Sequence, residues 1–229
     1  MIIYAGDIHG CPIAASKIDH EAAKAGVTHI IQVGDFGLAF HGNKCPLLKY
    51  FKKRSRQGKL TIPWITVGGN HDNYDWWNVK AAAQGNPDMT ELAPGVHWAA
   101  RGFMTTLDGT SHLFCGGAES TDKLYRTEGK SWWAAETPTY EEFSRFADAL
   151  DEGKPQVVVT HDVPLRVDMF RVGRDQNATP RNLENALKVS SHAPKKWYYG
   201  HHHVMDSCTI DGTTFMGCGI GGEYVKSND

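Results

Sequence analysis

Carboxylate, imidazole and amide side chains follow directly after several short apolar runs of this sequence. They are Asp7 and His9 after IIYAG, Asp35 after THIIQVG, Asn70 and His71 within GGNHD, His161 after VVVT, and His201 and His203 within GHHH. Oxygen and nitrogen donors of this mixture suit divalent first-row ions such as Mn, Fe, Ni or Zn, whereas structural zinc sites favour cysteine. Even without His71, the seven donors that remain exceed what one ion needs, and two ions that share a carboxylate would use all seven, an arrangement suited to in-line displacement at phosphorus.

The apolar runs before these residues are predicted to be buried strands, because they are short and rich in Val, Ile, Tyr and Trp. Helical spacing predicts helices over residues 13–26, 47–57, 140–150 and 180–189. A capping box of Thr139 and Glu142 opens the third helix, and Gly153 is expected to close it. Asp-Gly within FMTTLDGTSHLFCGG and within CTIDGTTFMGCG predicts two hairpins. Since ligands of α/β sheets gather beyond the carboxyl ends of strands, the polar residues are expected to meet at one rim.

Composition is typical of a globular protein and favours no charged partner. The chain has 229 residues, 41% of them hydrophobic and 22% charged, and no linker-like segment, so a single domain over residues 1–229 is expected. A net charge of −2 gives no general attraction to nucleic acid or to a membrane. The start MIIYAGDIHG lacks the features of a signal peptide, no apolar run is long enough to span a bilayer, and five scattered cysteines suit reduced thiols. These features predict a cytoplasmic protein.

The order of the polar motifs resembles that of the calcineurin-like metallophosphoesterases. The matching motifs are Asp7-x-His9, Gly34-Asp35, Gly69-Asn70-His71-Asp72, His161 and Gly200-His201-x-His203, and they span nearly the whole chain. The resemblance implies an α/β fold in which a two-sheet β-sandwich is flanked by helices, in four αββα layers. It also implies a binuclear centre in which Asp35 is shared. The first ion would be held by Asp7, His9, Asp35 and His203, and the second by Asp35, Asn70, His161 and His201.

The resemblance further implies roles in catalysis. A hydroxide bridging two divalent ions, with Mn favoured over Fe, Ni, Zn or Mg, would attack phosphorus. His71 would stabilise developing charge or protonate the leaving oxygen, and Asp72 would orient its imidazole. An extended backbone over residues 201–203 would place His201 and His203 on one face and His202 on the other.

The implied function is hydrolysis of a phosphate ester, with a diester preferred to a monoester. The second motif continues as Phe36-Gly37-Leu38 rather than in the GDxxDRG form of the protein Ser/Thr phosphatases, so a small organic or nucleotide substrate is favoured over a protein. Two alternatives remain. One is a nuclease acting on DNA or RNA, for which KYFKKRSRQGK offers a basic helix face. The other is a non-catalytic interaction scaffold on the same fold, which the complete set of ligand residues disfavours.

Two further segments carry candidate substrate contacts. Arg166, Arg171 and Arg174 follow His161 in a long, loop-like stretch, where they could bind substrate phosphate or simply be exposed loop residues. Glu119, Tyr125, Trp132 and Trp133 could frame the mouth of the site, although core packing explains the tryptophans equally well. The oligomeric state is left open by the sequence.

Overall fold

Two mixed β-sheets pack face to face, and helices cover both outer faces. In the computed structural model, which describes residues 1–168 and 177–228, each sheet has six strands. The helices and sheets form three hydrophobic clusters, one between the sheets and one beneath the helices on each side. The four-layer αββα sandwich predicted from the sequence is therefore confirmed.

The first sheet is built mainly from the amino-terminal part of the chain. Its strands are β1 (Ile2–Ala5), β2 (His29–Gln32), β3 (Trp64–Thr66), β4 (Met89–Ala93), β5 (Val96–Ala99) and β12 (Tyr224–Lys226). They lie in the order β12-β1-β2-β3-β5-β4. The four central strands are parallel and the two edge strands are antiparallel to their neighbours.

The second sheet repeats this plan with later strands. They are β6 (Phe103–Leu107), β7 (Thr110–Cys115), β8 (Val157–Thr160), β9 (Lys196–Tyr199), β10 (Ser207–Ile210) and β11 (Thr213–Gly217). The order is β10-β11-β9-β8-β7-β6, again with parallel central strands and antiparallel edges. Both predicted Asp-Gly hairpins are confirmed as the β6–β7 and β10–β11 pairs.

Six α-helices are assigned within the described residues. They are α1 (Pro12–Ala25), α2 (Pro46–Arg56), α3 (Tyr74–Gln84), α4 (Tyr140–Gly153), α5 (Leu165–Asp168) and α6 (Ala178–Val189). The first three cover the first sheet, and the last three cover the second. None of them is both long and apolar enough to cross a membrane.

Local sequence explains most helix ends. Proline occupies the first turn of α1 and α2, where its missing N–H is not needed, and the predicted capping box of Thr139 and Glu142 opens α4. The end of α4 differs from the prediction, because Gly153 is the last helical residue and Lys154 adopts the left-handed conformation, with φ 48°. The helices α3 and α5 and the strands β4, β5 and β12 were not predicted, and α5 lies in the stretch after His161 that was expected to be loop-like.

Alternation along the strands divides the side chains between the clusters. In β1, Ile2 and Tyr4 face the other sheet, whereas Ile3 and Ala5 face the helices. Tyr4 stacks on Tyr198 of β9 with ring centroids 3.4 Å apart, which places an aromatic pair at the centre of the sandwich. The apolar runs are therefore uninterrupted because both faces of these strands are buried.

Phe114→Ala tests the importance of packing between the sheets. Phe114 is fully buried in the cluster between the sheets, so its truncation should lower the free energy of unfolding by about 3–5 kcal/mol. Ile13→Ala is the control, because Ile13 is 79% exposed and its truncation should change the value by less than about 0.5 kcal/mol. Urea denaturation measures both, and equal effects would contradict this account of the core.

Candidate functional site

Five parallel strands deliver the predicted ligands to one edge of the sandwich. Strands β1, β2 and β3 of the first sheet end shortly before Asp7, Asp35 and Asn70, and strands β8 and β9 of the second end before His161 and His201. The carboxyl ends of strands from both sheets therefore meet at the same place, as the sequence predicted.

One group of ligand atoms combines the first motif with the last. Asp7 Oδ2 lies 3.1 Å from His203 Nε2, and His9 Nε2 lies 3.3 Å from the same nitrogen. One ligand atom from each of these three residues lies within 4.8 Å of the others. Asp7 is fully buried, whereas the two histidines are exposed at the surface of the site.

A second group lies deeper and contains Asp35, His161 and Asn70. His161 Nε2 lies 3.3 Å from Asp35 Oδ1 and 3.2 Å from Asn70 Oδ1. The other ring nitrogen, Nδ1, donates to the carbonyl oxygen of Val33 at 2.9 Å. A carbonyl only accepts, so Nδ1 carries a proton and Nε2 is the nitrogen that faces the group, as in a metal-binding histidine.

Asp35 connects the two groups through its two carboxylate oxygens. Oδ1 faces His161 and accepts the backbone N–H of His71 at 2.7 Å, whereas Oδ2 lies 3.9 Å from His9 Nε2. This placement suits a shared ligand. Asp7 also has atoms close to both groups, since it lies within 4.8 Å of Asp35 and His161.

The three consecutive histidines have different surroundings. The ring of His201 lies 5.0 Å from that of His161, and its backbone N–H donates to the Asp7 carboxylate. His202 points elsewhere, with Nε2 3.3 Å from Asp162 Oδ1. The prediction that His201 and His203 share a face opposite His202 is wrong, because the ring of His202 makes an edge contact with that of His201, 5.2 Å away, and His201 and His203 have φ values of 62° and 54° rather than an extended backbone.

Left-handed backbone is concentrated among the predicted ligands. His9, Asp35, His201 and His203 all have φ between 48° and 62°. Asp and His tolerate this region better than most residues, but such positions still cost of order 1–3 kcal/mol and persist only where the surrounding structure holds them. Such a concentration is typical of functional sites.

Glycines next to the ligands allow close approach of the backbone. A Cβ atom at Gly69 would lie 2.2 Å from Asp35 Oδ1, and one at Gly200 would lie 2.3 Å from Asp7 Oδ1. No side chain fits at either position. The glycine before the ligand in the GNHD and GHHH motifs is therefore a requirement of packing against the carboxylates.

The electrostatics of the site balance two buried carboxylates against imidazoles. Burial raises the pKa of Asp7, although its hydrogen bond to His203 opposes the change. Burial also acts to raise the pKa of Asp35, but the neighbouring His161 outweighs it and holds the pKa below the usual range. Burial acts to lower the pKa of His161, and Asp35 overcomes it and raises this pKa to about 10. Asp35 and His161 therefore each favour the ionised form of the other.

These residues fit divalent ions. Two donors that are each about 2.1 Å from one ion lie about 3.0–3.4 Å apart at angles of about 90–110°. The closest donor pairs here are 3.1–3.3 Å apart. Because metal binding displaces ligand protons, a cation would take over the charge that the His161 imidazolium supplies.

His71 lies beside the ligands but is bonded to a residue that the sequence analysis missed. Its ring makes an edge contact with that of His9, 5.0 Å away, and its Nε2 lies 2.9 Å from Nη2 of Arg126. Burial lowers the pKa of His71, with Asp35 opposing and Arg126 reinforcing the effect. An arginine N–H only donates, so Nε2 of His71 is an acceptor.

Asp72 does not orient the imidazole of His71. Its buried carboxylate accepts the backbone N–H groups of Phe36, Gly37 and Gly69 at 2.8–3.3 Å. Burial raises the pKa of Asp72 to about 7, and the nearby charge of Asp35 adds to the increase. Asp72 therefore joins the loops after β2 and β3, and Arg126 is the partner of the ring.

Arg166 is not brought to the ligands. Its guanidinium bonds to Glu184 at 2.9 Å and to Asp211 at 2.6 Å, which ties α5 to α6 and to the β10–β11 turn. These ion pairs correct the expectation that Arg166 binds substrate. Arg171 and Arg174 lie outside the described residues.

The loop between β7 and α4 contributes to the site in a different way from that expected. Trp133 is buried, lies 5.2 Å from Phe40 and donates to Asp75, whereas Tyr125 is exposed. Trp132 lies under the Lys123 ammonium, and Glu119 accepts the backbone N–H of Ala178. The contact from this loop to the predicted catalytic residues is made by Arg126, which no sequence periodicity indicated.

A pocket of about 330 Å³ adjoins the ligands. His9 and His71 form one side, and Phe40, Cys45 and Pro46 belong to the remaining wall. An organic group attached to a phosphate at the site would have room there.

Comparison with known proteins places the chain in a family. The model of the calcineurin-like phosphoesterase family matches residues 1–205, so this chain belongs to that family. Members are metal-dependent phosphoesterases, in agreement with the ligand groups of this site. No curated protein sequence matches the chain.

Solved structures share the fold at low sequence identity. TT1561 of Thermus thermophilus is 15% identical, with 96% of this chain and 89% of that chain covered and a TM-score of 0.59. A Staphylococcus aureus protein assigned as a 5′-nucleotidase, in complex with alpha-ketoglutarate, is 13% identical, with 96% of this chain and 48% of that longer chain covered and a TM-score of 0.57. At these identities the likeness shows the fold alone.

Gly69→Ala tests the packing of the backbone against Asp35. The added Cβ would overlap Asp35 Oδ1, and displacement of this carboxylate should weaken Mn²⁺ binding by about 10–100-fold. Gly58→Ala is the matched control, since Gly58 has φ 62° and no atom within 4 Å of an added Cβ, so it should lose some stability but no Mn²⁺ affinity. Titration calorimetry measures the affinities. Unchanged binding by Gly69→Ala would show that Asp35 is not held in this way.

Proposed function

We propose that this protein hydrolyses phosphodiesters, and phosphomonoesters less well, with two divalent ions at the site described above. The observation that carries the proposal is the pair of ligand groups, Asp7-His9-His203 and Asp35-His161-Asn70, with a carboxylate oxygen of Asp35 directed towards each. His201 would complete the second group. A single-ion site would leave part of this donor set, including a buried carboxylate, without a function.

The residues would divide the work as follows. The bound ions would supply a Lewis acid for the phosphoryl oxygens and lower the pKa of water. Asp35 would be shared by the two ligand groups and would fix their relative positions. His71, beside His9 at the mouth, would stabilise charge on the reacting phosphate or protonate the leaving oxygen. Asp72 would act indirectly, by fixing the loops that carry Asp35 and Asn70.

The surroundings of the site support an ester with an organic substituent. The pocket beside His9 and His71 has an aromatic and aliphatic wall of Phe40, Cys45 and Pro46, which suits a carbon-rich group better than free phosphate. A diester always presents such a group on either side of phosphorus. The absence of the GDxxDRG continuation after Asp35 argues against a protein substrate.

The identity of the two metal ions and the cellular compartment are part of the proposal. Mn²⁺ is favoured because the donors are carboxylate, amide and imidazole without thiolate, and Fe, Ni, Zn and Mg are the alternatives. All five cysteines are free, which suits the reducing cytoplasm.

A substrate panel tests the proposal directly. Aryl phosphomonoesters, aryl phosphodiesters, cyclic nucleotides and short oligonucleotides should be assayed with each of the five ions. The highest kcat/KM is expected for a small diester with Mn²⁺. Faster cleavage of oligonucleotides would instead identify a nuclease, and a protein that binds no ion and turns over no ester would be a scaffold. Asp35→Asn should be inactive, and the exposed Asp148→Asn should keep full activity.

His71→Ala separates catalysis from metal binding. Loss of this imidazole should lower kcat by about 10²–10⁴-fold, because charge stabilisation or proton donation at the reacting phosphate is removed. Bound Mn should stay at two ions per chain, since His71 belongs to neither ligand group. Elemental analysis of the purified variant checks this expectation, and a loss of ions would assign His71 to the ligands instead.

A further inference from the structure

Arg126 brings a positive charge to the edge of the ligand groups. It lies in the loop between β7 and α4, and its side chain is only 13% exposed. Nη2 lies 2.9 Å from His71 Nε2, and the ring of His71 is in edge contact with that of His9. The ring of His71 thus lies between the guanidinium and the predicted ligand His9.

Hydrogen bonds hold the guanidinium in one orientation. Nε donates to Asp122 Oδ2 at 2.8 Å, and Nη1 donates to Ser120 Oγ and to the Ser131 carbonyl, both at 3.4 Å. With the bond to His71, four of the five N–H groups have acceptors within residues 1–168 and 177–228. The fifth is on Nη2, the nitrogen next to the reaction site.

Ser120 links this arginine to a predicted metal ligand. Its hydroxyl donates to Glu136 Oε2 at 2.8 Å, and Glu136 also accepts the Ser120 backbone N–H at 2.7 Å. A hydroxyl has one proton and two lone pairs, so with its proton on Glu136, Oγ accepts from both Arg126 and Asn70 Nδ2. The bond to Asn70 directs the amide nitrogen away from the ligands and the carbonyl oxygen towards His161.

The charge of Arg126 is incompletely balanced by the protein. Asp122 is the carboxylate bonded to the guanidinium, and it is 47% exposed, so water screens this pair. His71 accepts a hydrogen bond but carries no negative charge. An oriented arginine with an available N–H beside a phosphoryl site is suited to bind an anionic oxygen, because guanidinium and phosphate form strong charge-assisted hydrogen bonds.

We propose that Arg126 binds a non-bridging oxygen of the substrate phosphate, and that Ser120 and Glu136 are positioning residues that set Arg126 and Asn70 together. The proposal rests on the proposed function, because it takes the phosphate to lie at the two ligand groups. It makes the β7–α4 loop the source of phosphate recognition, in place of the segment that contains Arg166.

Inorganic phosphate is the probe for Arg126, because its binding requires no turnover. In Arg126→Ala, the affinity of the Mn-loaded protein for phosphate should fall at least about tenfold, while Mn²⁺ affinity stays within about twofold of the wild type. KM for an aryl diester should rise, and added guanidinium should restore part of the loss. Arg126→Lys keeps the charge but not the planar fork and should be intermediate.

The control is Arg145→Ala, which removes an exposed arginine paired with Asp88 on the surface. It should leave phosphate affinity unchanged. Phosphate binding by Arg126→Ala within about twofold of the wild type would overturn the proposal, as would a parallel loss of Mn²⁺ affinity, which would make Arg126 a structural residue.

Ser120→Ala tests the positioning role. Because Oγ contacts both Arg126 and Asn70, the affinities for phosphate and for Mn²⁺ should both fall at a temperature at which circular dichroism shows the variant to be folded, unlike in Arg126→Ala. Retention of both affinities would overturn the role of Ser120. If the wild type turns over no ester with any ion, the proposed function fails, whereas calorimetry with phosphate still decides whether Arg126 binds the anion.

Discussion

The structure depends on holding two carboxylates, Asp7 and Asp35, out of water at the edge where two sheets meet. An isolated buried carboxylate is strongly unfavourable, and several groups around this pair supply positive charge or N–H donors. His161 stands between them, His203 bonds to Asp7, and backbone N–H groups of residues 71 and 201 complete the set. The same carboxylates and imidazoles are donors of the kind that divalent cations bind.

Strict local geometry is needed to reach this arrangement. Each parallel strand ends one to four residues before its polar side chain, and the chain then turns sharply through left-handed residues or closely packed glycines. These turns direct side chains and backbone N–H groups towards the same carboxylates. The cost in backbone strain is repaid by the packing of two sheets, whose apolar faces are buried on both sides.

The predicted part of the site consists of residues whose signal is local. Asp7, Asp35 and His161 each follow a recognisable buried strand, and parallel strands put their carboxyl ends at one edge, so their convergence was predictable. Helix α3 was missed because only Tyr74 and Trp77 of its residues are buried, which gives a weak helical pattern. The backbone of residues 201–203 was misjudged because its conformation depends on a contact with Asp7 far away in the chain.

Two arginines show most clearly what the sequence could not predict, since Arg166 and Arg126 differ only in what surrounds them in the fold. Arg166 is paired with acidic residues on α6 and on the β10–β11 hairpin. Arg126 is held near His71 by Ser120, which is itself bonded to the buried Glu136. The spacing of residues in the sequence predicts neither set of neighbours.

The contact between Asp7 and His203 joins positions 196 residues apart along the chain, one just after a strand of the first sheet and one just after a strand of the second. A growing polypeptide on the ribosome thus has half of its donor set long before the other half is made. An ion held by both residues would be bound only after β9 has been synthesised and has docked, and it would crosslink the earliest and latest parts of the sandwich.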